Sequence, residues 1–230
     1  MKPTTSSLIR CTGLAAIAAG VIFAGIQPIH PPDVLASVTT TAWAIITPLK
    51  TAMCFLFLLG IAGLYSRQVE EAGWLGLAGY ILFSLSWALQ SGFVFAEAFI
   101  LPVLSSAAPQ FVESALTVAN RHAGSMPIGA LPGLYSAVSV LYLLGGLVFG
   151  IATFRARVLP RWAAGLLAAS GLLAAIMVTL FPHPVDRLAA MPMGIAMVGL
   201  GYALWSGRRV QAPEAEAGRV SPQLGHTTAE

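Results

Sequence analysis

The chain has 230 residues, of which 57% are hydrophobic and only 9% are charged, and its mean hydropathy is +0.81. Soluble proteins carry roughly 25% charged residues, so this composition excludes a water-soluble globular domain and makes the lipid bilayer the first partner of the chain. The 12 Lys and Arg residues exceed the 9 Asp and Glu residues, but they stand in short runs between apolar stretches, a pattern that reflects orientation in a membrane and excludes nucleic-acid binding.

Six stretches of the chain are long and apolar enough to cross a bilayer, which takes about 20 residues of helix. They are residues 8–26, 39–65, 74–103, 131–154, 162–181 and 188–205. Between the third and fourth spans, residues 109–122 carry their apolar side chains on one side of a helix, which predicts an interfacial helix on the outer surface. The sequence therefore predicts an all-α fold, a six-helix transmembrane bundle over residues 1–206 with an outer interfacial helix. The Pro-, Gly- and Ala-rich residues 207–230 are predicted to form a disordered cytoplasmic tail.

The basic residues of the connections divide unequally between the two sides of the predicted bundle. One side receives only Arg121 and Arg187. The other side receives Lys2, Arg10, Arg67, Arg155, Arg157, Arg161, Arg208, Arg209 and Arg219. Because cytoplasmic loops carry the excess of Lys and Arg, this asymmetry predicts a multi-pass protein of the cell membrane with both termini in the cytoplasm.

A seven-residue pattern occurs twice in the chain. Residues 30–36 read His-Pro-Pro-Asp-Val-Leu-Ala, and residues 183–189 read His-Pro-Val-Asp-Arg-Leu-Ala. Each copy falls in an outer turn that joins one predicted span to the next. A pattern repeated at equivalent positions predicts a fold of three successive two-helix hairpin repeats.

The predicted loop before the fifth span contains Leu159-Pro160-Arg161-Trp162. This loop resembles the L-P-R-W loop found at the same place in a broad set of uncharacterised six-span bacterial membrane proteins, which are grouped as a domain of unknown function. The resemblance implies a six-span fold and brings no catalytic residues with it.

Histidines and carboxylates gather on the predicted outer side. His30, His122 and His183 fall there, and neutral imidazoles are ligands that a divalent metal ion takes, so these three are a candidate metal site. No other cofactor is predicted. In the alternative interpretation, Asp33 and Asp186 are the N-caps of the second and sixth spans, and His122 complements the C-terminal dipole of the interfacial helix.

Lys50 lies inside the second span, in the predicted outer half of the bilayer, where a charge without a partner costs about 2.5 kcal/mol or more. Gln90 on the third span lies at a similar depth. Glu97 lies two turns higher on a nearby face of that span and can receive the Lys50 ammonium group if the lysine side chain points outward. This interpretation predicts a polar pocket that opens outward. Alternatively, Lys50 extends to the interface and Glu97 already lies among the lipid headgroups. The candidate ligand-binding residues are Lys50, Gln90, Glu97, His30, Asp33, His183 and Asp186.

These residues leave three classes of function open. The first is a protein whose outward-facing polar pocket binds or moves a small ion, a proton or a lipid-like ligand, and a transport version of it predicts a homodimer. The second is a membrane-embedded enzyme that uses the outer histidines and carboxylates, with or without a metal ion, on an amphiphilic substrate. The third is an accessory subunit whose glycine-rich helices pack against a partner in a membrane complex.

Overall fold

The described part of the chain consists of helices and their connections. This computed structural model describes residues 4–181 and 185–207, without the side chains of Val178, Val185 and Asp186. Within these residues there are eight α-helices and no strand, so the predicted all-α class is confirmed. The helices are α1 (Thr5–Gly25), α2 (Thr41–Ser66), α3 (Val69–Phe99), α4 (Leu101–Ala107), α5 (Pro109–Ala119), α6 (Leu131–Ala156), α7 (Arg161–Leu180) and α8 (Met191–Ser206).

Five helical segments are long and apolar enough to cross a membrane: Thr5–Ile29, Thr41–Ser66, Val69–Phe99, Leu131–Ala156 and Arg187–Ser206. They correspond to the first, second, third, fourth and sixth predicted spans. The fifth predicted span corresponds to α7, whose apolar stretch, Arg161–Met177, is shorter than the other five. The chain is thus compatible with an integral membrane protein, and the arrangement with six spans stays a prediction. The predicted disordered tail lies outside the described residues beyond Gly207.

The third predicted span is wrong at its end. Helix α3 stops at Phe99, and the following residues form the separate short helix α4. Pro102 stands in the first turn of α4, where its missing N–H group needs no partner. Inside a continuous helix the same residue would remove a hydrogen bond and clash with the preceding turn.

A helix is present where the interfacial helix was predicted, although it ends earlier, at Ala119. Arg121 follows in the left-handed conformation with φ 65°, and the N–H group of His122 donates to the Thr117 carbonyl oxygen at 3.0 Å. This pairing closes the last turn of α5 before the chain reaches Gly124. The position of α5 at a membrane surface stays a prediction.

The six long helices form a ring in chain order. Helix α1 contacts α2, α2 contacts α3, α3 contacts α6, α6 contacts α7, α7 contacts α8, and α8 closes the ring on α1. Contacts within the three predicted hairpins are no more extensive than contacts between them. The packing therefore does not single out hairpin repeats, which stay a prediction.

Glycines bring α1 and α8 into backbone contact. A Cβ atom built on Gly201 would lie 2.7 Å from the carbonyl oxygen of Gly13, and one built on Gly194 would lie 2.8 Å from that of Gly20. Only small residues permit such an approach, which replaces side-chain interdigitation with direct van der Waals contact of the two helices.

The interior of the ring is filled at one end. The side chains there are completely buried and mostly large and apolar: Phe57, Ile61, Leu64, Phe83, Phe149, Leu167, Met193, Met197 and Leu200. The opposite end, called the His30 side below, carries residues 26–40, helices α4 and α5 and the 3₁₀ turn Val185–Ala190. A smaller core under α5 contains Val38, Trp43, Leu101, Val112 and Leu116. The His30 side is where the predicted ligand-binding residues lie.

Replacing Gly201 with Ala tests the contact between α1 and α8. The added methyl group has no space, so we expect the free energy of unfolding to fall by about 1–3 kcal/mol, measured in mixed micelles of dodecyl maltoside and SDS. Gly92→Ala is the matched control, because nothing lies within 4 Å of a Cβ at that position of α3. The control is expected to gain up to about 1 kcal/mol from its better helix propensity. Equal effects at the two positions would contradict the packing described for α1 and α8.

Candidate functional site

A cavity of about 1420 Å³ occupies the ring on the His30 side. Helices α1, α2, α3, α6 and α7 contribute to its wall, and the 3₁₀ turn Val185–Ala190 contributes Arg187. Its lining includes every predicted ligand-binding residue whose side chain is described: His30, Asp33, Lys50, Gln90 and Glu97. His183 and the side chain of Asp186 lie outside the described residues. The roles of all these residues in binding stay predictions.

The centre of the site is an ion pair between α2 and α3. The Lys50 Nζ atom lies 2.6 Å from Glu97 Oε2, and the two side chains are 14% and 11% exposed. The indole Nε1–H group of Trp43 donates to the Glu97 carbonyl oxygen at 2.9 Å and attaches the same turn of α3 to α2. Lys50 therefore points into the cavity, and its charge is neutralised within the protein, as a charge in an apolar segment requires.

His30 is the second acceptor for Lys50. The His30 Nδ1–H group donates to the Pro31 carbonyl oxygen at 2.7 Å, so Nε2 keeps its lone pair and accepts from Lys50 Nζ at 3.1 Å. Burial, together with the charges of Lys50 and Arg187, lowers the pKa of His30 to about 4. The imidazole is consequently neutral near pH 7 and acts as a hydrogen-bond acceptor towards the ammonium group.

Asp33 connects three segments at the end of the cavity. Its Oδ2 atom accepts from Arg187 Nη2 at 2.8 Å, and its carbonyl oxygen accepts from Asn120 Nδ2 at 3.2 Å. These bonds join the connection between α1 and α2 to the 3₁₀ turn Val185–Ala190 and to the end of α5. Arg187 was missed as a site residue, although it is the charged residue that distinguishes the second copy of the repeated pattern from the first.

The alternative interpretation of Asp33 as the N-cap of α2 is wrong, whereas the side chain of Asp186 lies outside the described residues. The N-cap of α2 is Thr40, whose hydroxyl oxygen accepts from the Trp43 N–H group at 3.3 Å, and the N-cap of α8 is Ala190. Seven residues, 34–40, separate Asp33 from the start of α2, and residues 35–37 among them form a 3₁₀ turn. Asp33 is free to bind Arg187 for that reason.

The floor of the cavity is aromatic. The ring of Trp87 stacks on Phe57 with a centroid distance of 3.7 Å and an interplanar angle of 8°. Phe23 and Tyr142 meet the same indole edge-on, at 5.5 and 6.0 Å. Trp87 lies about 15 Å from Glu97 along α3, at about 1.5 Å per residue. The cavity thus has a charged end and, about 15 Å away, an apolar and aromatic end.

Helices α6 and α7 part on the His30 side. Away from it they are in close contact, since a Cβ atom on Gly150 would lie 2.7 Å from the Ala168 Cα atom and one on Gly171 would lie 3.2 Å from the Leu143 Cα atom. Beyond this point Val138 is the only buried residue of α6, and no residue of α7 with a described side chain is buried. Cavity-lining residues of both helices are exposed there: Ser136, Ser139 and Ala175. The absence of buried contacts along these stretches indicates that the cavity extends towards the side of the bundle between α6 and α7.

The predicted metal site is incomplete in the described part of the chain. His122 lies at the rim of the cavity, and His30 has both ring nitrogens engaged, one by Pro31 and the other by Lys50. In residues 4–181 and 185–207 no three His, Cys, Asp or Glu side chains are arranged to hold a metal ion. Because His183 lies outside these ranges, the set His30, His122 and His183 stays a prediction.

Comparison of the chain with protein-family models, with curated protein sequences and with solved structures found no match. The resemblance of the loop Leu159–Trp162 to uncharacterised six-span proteins thus depends on that loop alone. The interpretation of the site consequently depends on its own geometry.

A double-mutant cycle tests the Lys50–Glu97 ion pair. Lys50→Met keeps the length of the side chain but leaves the carboxylate without its ammonium partner, so we expect a loss of about 1–3 kcal/mol in the free energy of unfolding. Adding Glu97→Gln removes the unpaired charge and is expected to restore part of the loss, with a coupling energy of about 0.5–3 kcal/mol. Additive effects of the two substitutions would contradict a direct pair.

The pH dependence of stability tests the neutral state of His30. The pKa of about 4 in the folded protein lies below the ordinary value of 6.5. The contribution of the neutral His30 to the free energy of unfolding is therefore complete above pH 6.5 and is lost as the pH falls towards 4. We expect His30→Gln to remove this part of the pH dependence of the unfolding free energy. His122→Gln is the control because His122 is exposed. The same pH profile in both variants would argue against a buried, neutral His30.

Proposed function

We propose that this chain is an integral protein of the cell membrane that binds an amphiphilic, lipid-like ligand in the cavity on the His30 side. In this proposal all six long helices cross the bilayer. The His30 side faces outward and both termini face the cytoplasm, as the distribution of Lys and Arg in the connections supports. The polar group of the ligand lies near Lys50, His30 and Glu97, and its hydrocarbon part lies along the aromatic floor.

One observation carries the proposal: a single cavity joins a charged end, at Lys50 and Glu97, to an aromatic floor at Trp87 and Tyr142. A ligand that matches both ends must be polar at one end and apolar at the other. Binding pockets of drug-sized molecules measure about 300–1,000 Å³. The volume of about 1420 Å³ is larger than that range and suits a lipid-like molecule.

The same geometry makes a small ion or a proton a poorer fit than an amphiphile. The best acceptors for a cation, Glu97 Oε2 and His30 Nε2, are already bound by the Lys50 ammonium group. A cation would have to displace that group and leave its charge buried and unpaired, which is costly in an apolar surrounding. A narrow polar path would also suffice for a proton, and it would not require an aromatic floor.

The wall of the cavity contains groups that can hold the polar part of such a ligand. The Gln90 side chain makes no hydrogen bond to the described residues, and it lines the cavity between the ion pair and the aromatic floor. Lys50 has three donor protons and, among the residues that the structure describes, two partners, so one N–H group is available to a ligand. These donors lie on the charged side of the cavity, where the proposal places the head group.

Filling the cavity tests the proposal. In the wild type, oleoyl lysophosphatidylglycerol at about 100 times its dissociation constant is expected to raise the free energy of unfolding by about 2.7 kcal/mol. Ala174→Phe places a ring in the cavity wall and is expected to weaken binding at least about tenfold. Leu172→Phe is the matched control, because Leu172 is exposed on the same helix and does not line the cavity.

Native mass spectrometry of the purified protein supplies an independent measurement. We expect co-purified lipid on the wild type and on Leu172→Phe, and less of it on Ala174→Phe. Equal binding by all three proteins would place the ligand outside the cavity. No binding of lysophosphatidylglycerol or of its phosphatidylcholine counterpart to the wild type would contradict the proposed function.

A further inference from the structure

We propose that the ligand is a lipid of the surrounding bilayer, and that it enters sideways through the gap between α6 and α7 on the His30 side. The inference rests on the proposed function and adds to it the source of the ligand and its path. The gap connects the cavity to the side of the bundle where, in the proposed orientation, lipid tails of the outer half of the bilayer lie.

The gap is lined by small side chains and flanked by large ones. Ser139 on α6 and Ala175 on α7 line the cavity. Their neighbours Val140 and Ile176 are 56% and 52% exposed and lie on the outer surface of the bundle, away from the cavity lining. Small residues on the facing surfaces leave width for a hydrocarbon chain, while the large residues keep the outer surface apolar.

The hydroxyl groups near the gap are bonded within their own helices. Ser136 Oγ donates to the Pro132 carbonyl oxygen and Ser139 Oγ donates to the Tyr135 carbonyl oxygen, each at 3.0 Å. On α7, Thr179 Oγ1 donates to carbonyl oxygens of the preceding turn. Since their donors are already satisfied, these residues present little unsatisfied polarity to a neighbour. A hydrocarbon tail can lie against them without the cost of burying an unpaired polar group.

The route from the aqueous side is more obstructed. Asp33 binds Arg187 and Asn120, and these bonds tie three connections together over the end of the cavity. The segment 121–129 that follows α5 also lines the cavity along its length. A lipid that came from water would have to break these polar bonds, whereas one that moves sideways crosses an apolar gap without leaving the bilayer.

Photo-cross-linking tests the path. The wild-type protein is placed in nanodiscs that contain a phosphatidylglycerol with a diazirine in its acyl tail, is irradiated, and the labelled residues are mapped by mass spectrometry. We expect labelling of Ser139 and Ala175 in the gap and of Tyr142 in the cavity. Labelling of Val140, which lies on the outer surface, measures the general contact of the protein with lipid.

Blocking the gap separates the path from the site. Ser139→Trp is expected to reduce labelling of Tyr142 about tenfold, since a bulky ring obstructs the passage. Val140→Trp is the matched control on the adjacent, outward-facing position and is expected to leave the labelling unchanged. Ala175→Phe obstructs the gap from its opposite wall. It is the second gap variant, and it replaces Ser139→Trp in the test if that substitution lowers the thermal stability.

The outcomes distinguish the inference from the function on which it rests. Labelling of Tyr142 that is lost in both gap variants and kept in the control supports lateral access. Labelling of Tyr142 that persists in both gap variants overturns the lateral path but leaves lipid binding in the cavity intact. Absence of label from the cavity of the wild type, with label on Val140, overturns the inference and contradicts the proposed function as well.

Discussion

The Lys50 ammonium group needs partners from the protein, because an apolar surrounding supplies none. It takes one partner from α3, Glu97, and one from the connection after α1, His30. A single charge therefore holds together α2, α3 and the chain that precedes α2. The inward direction of Lys50 follows from this pairing, and the neutral state of His30 follows from its burial together with the charges of Lys50 and Arg187. The polar end of the cavity, on which the proposed function depends, is a consequence of the same requirement.

A change in helix packing along the bundle creates the rest of the site. At the filled end, glycines such as Gly150 let neighbouring helices meet through their backbones, and large apolar side chains occupy the interior. On the His30 side the corresponding stretches of α6 and α7 separate, and the space between the helices stays open. The aromatic group around Trp87 forms the boundary between the two regions. Close packing at one end thus keeps the ring together while the other end provides volume for a ligand.

Part of the site could be predicted from depth and charge. Helical rise places Gln90 near the level of Lys50 and Glu97 two turns higher, and the need to neutralise a charge suggests that an outward-pointing Lys50 meets Glu97, as it does. The partner of Asp33 could not be predicted in this way. Arg187 lies far away in sequence, and only the closure of the ring brings the turn Val185–Ala190 beside residues 30–33. The N-cap of α2 was assigned to the wrong residue for a local reason, since the 3₁₀ turn at residues 35–37 delays the start of the helix to Thr41.

The sequence by itself determined the all-α class, the approximate positions of the long apolar helices and the presence of a charge that needed a partner. These properties follow from the composition and length of each segment, which do not depend on contacts with other segments. Only the tertiary structure decided the order of helices around the ring, the parting of α6 from α7 and the contact between Asp33 and Arg187. The physical reason is that a helix with apolar residues on every side has no hydrophobic stripe, so its sequence does not determine which face packs inward. That choice is made by the close contacts of small residues and by the pairing of a few polar groups, which exist only once the helices have assembled.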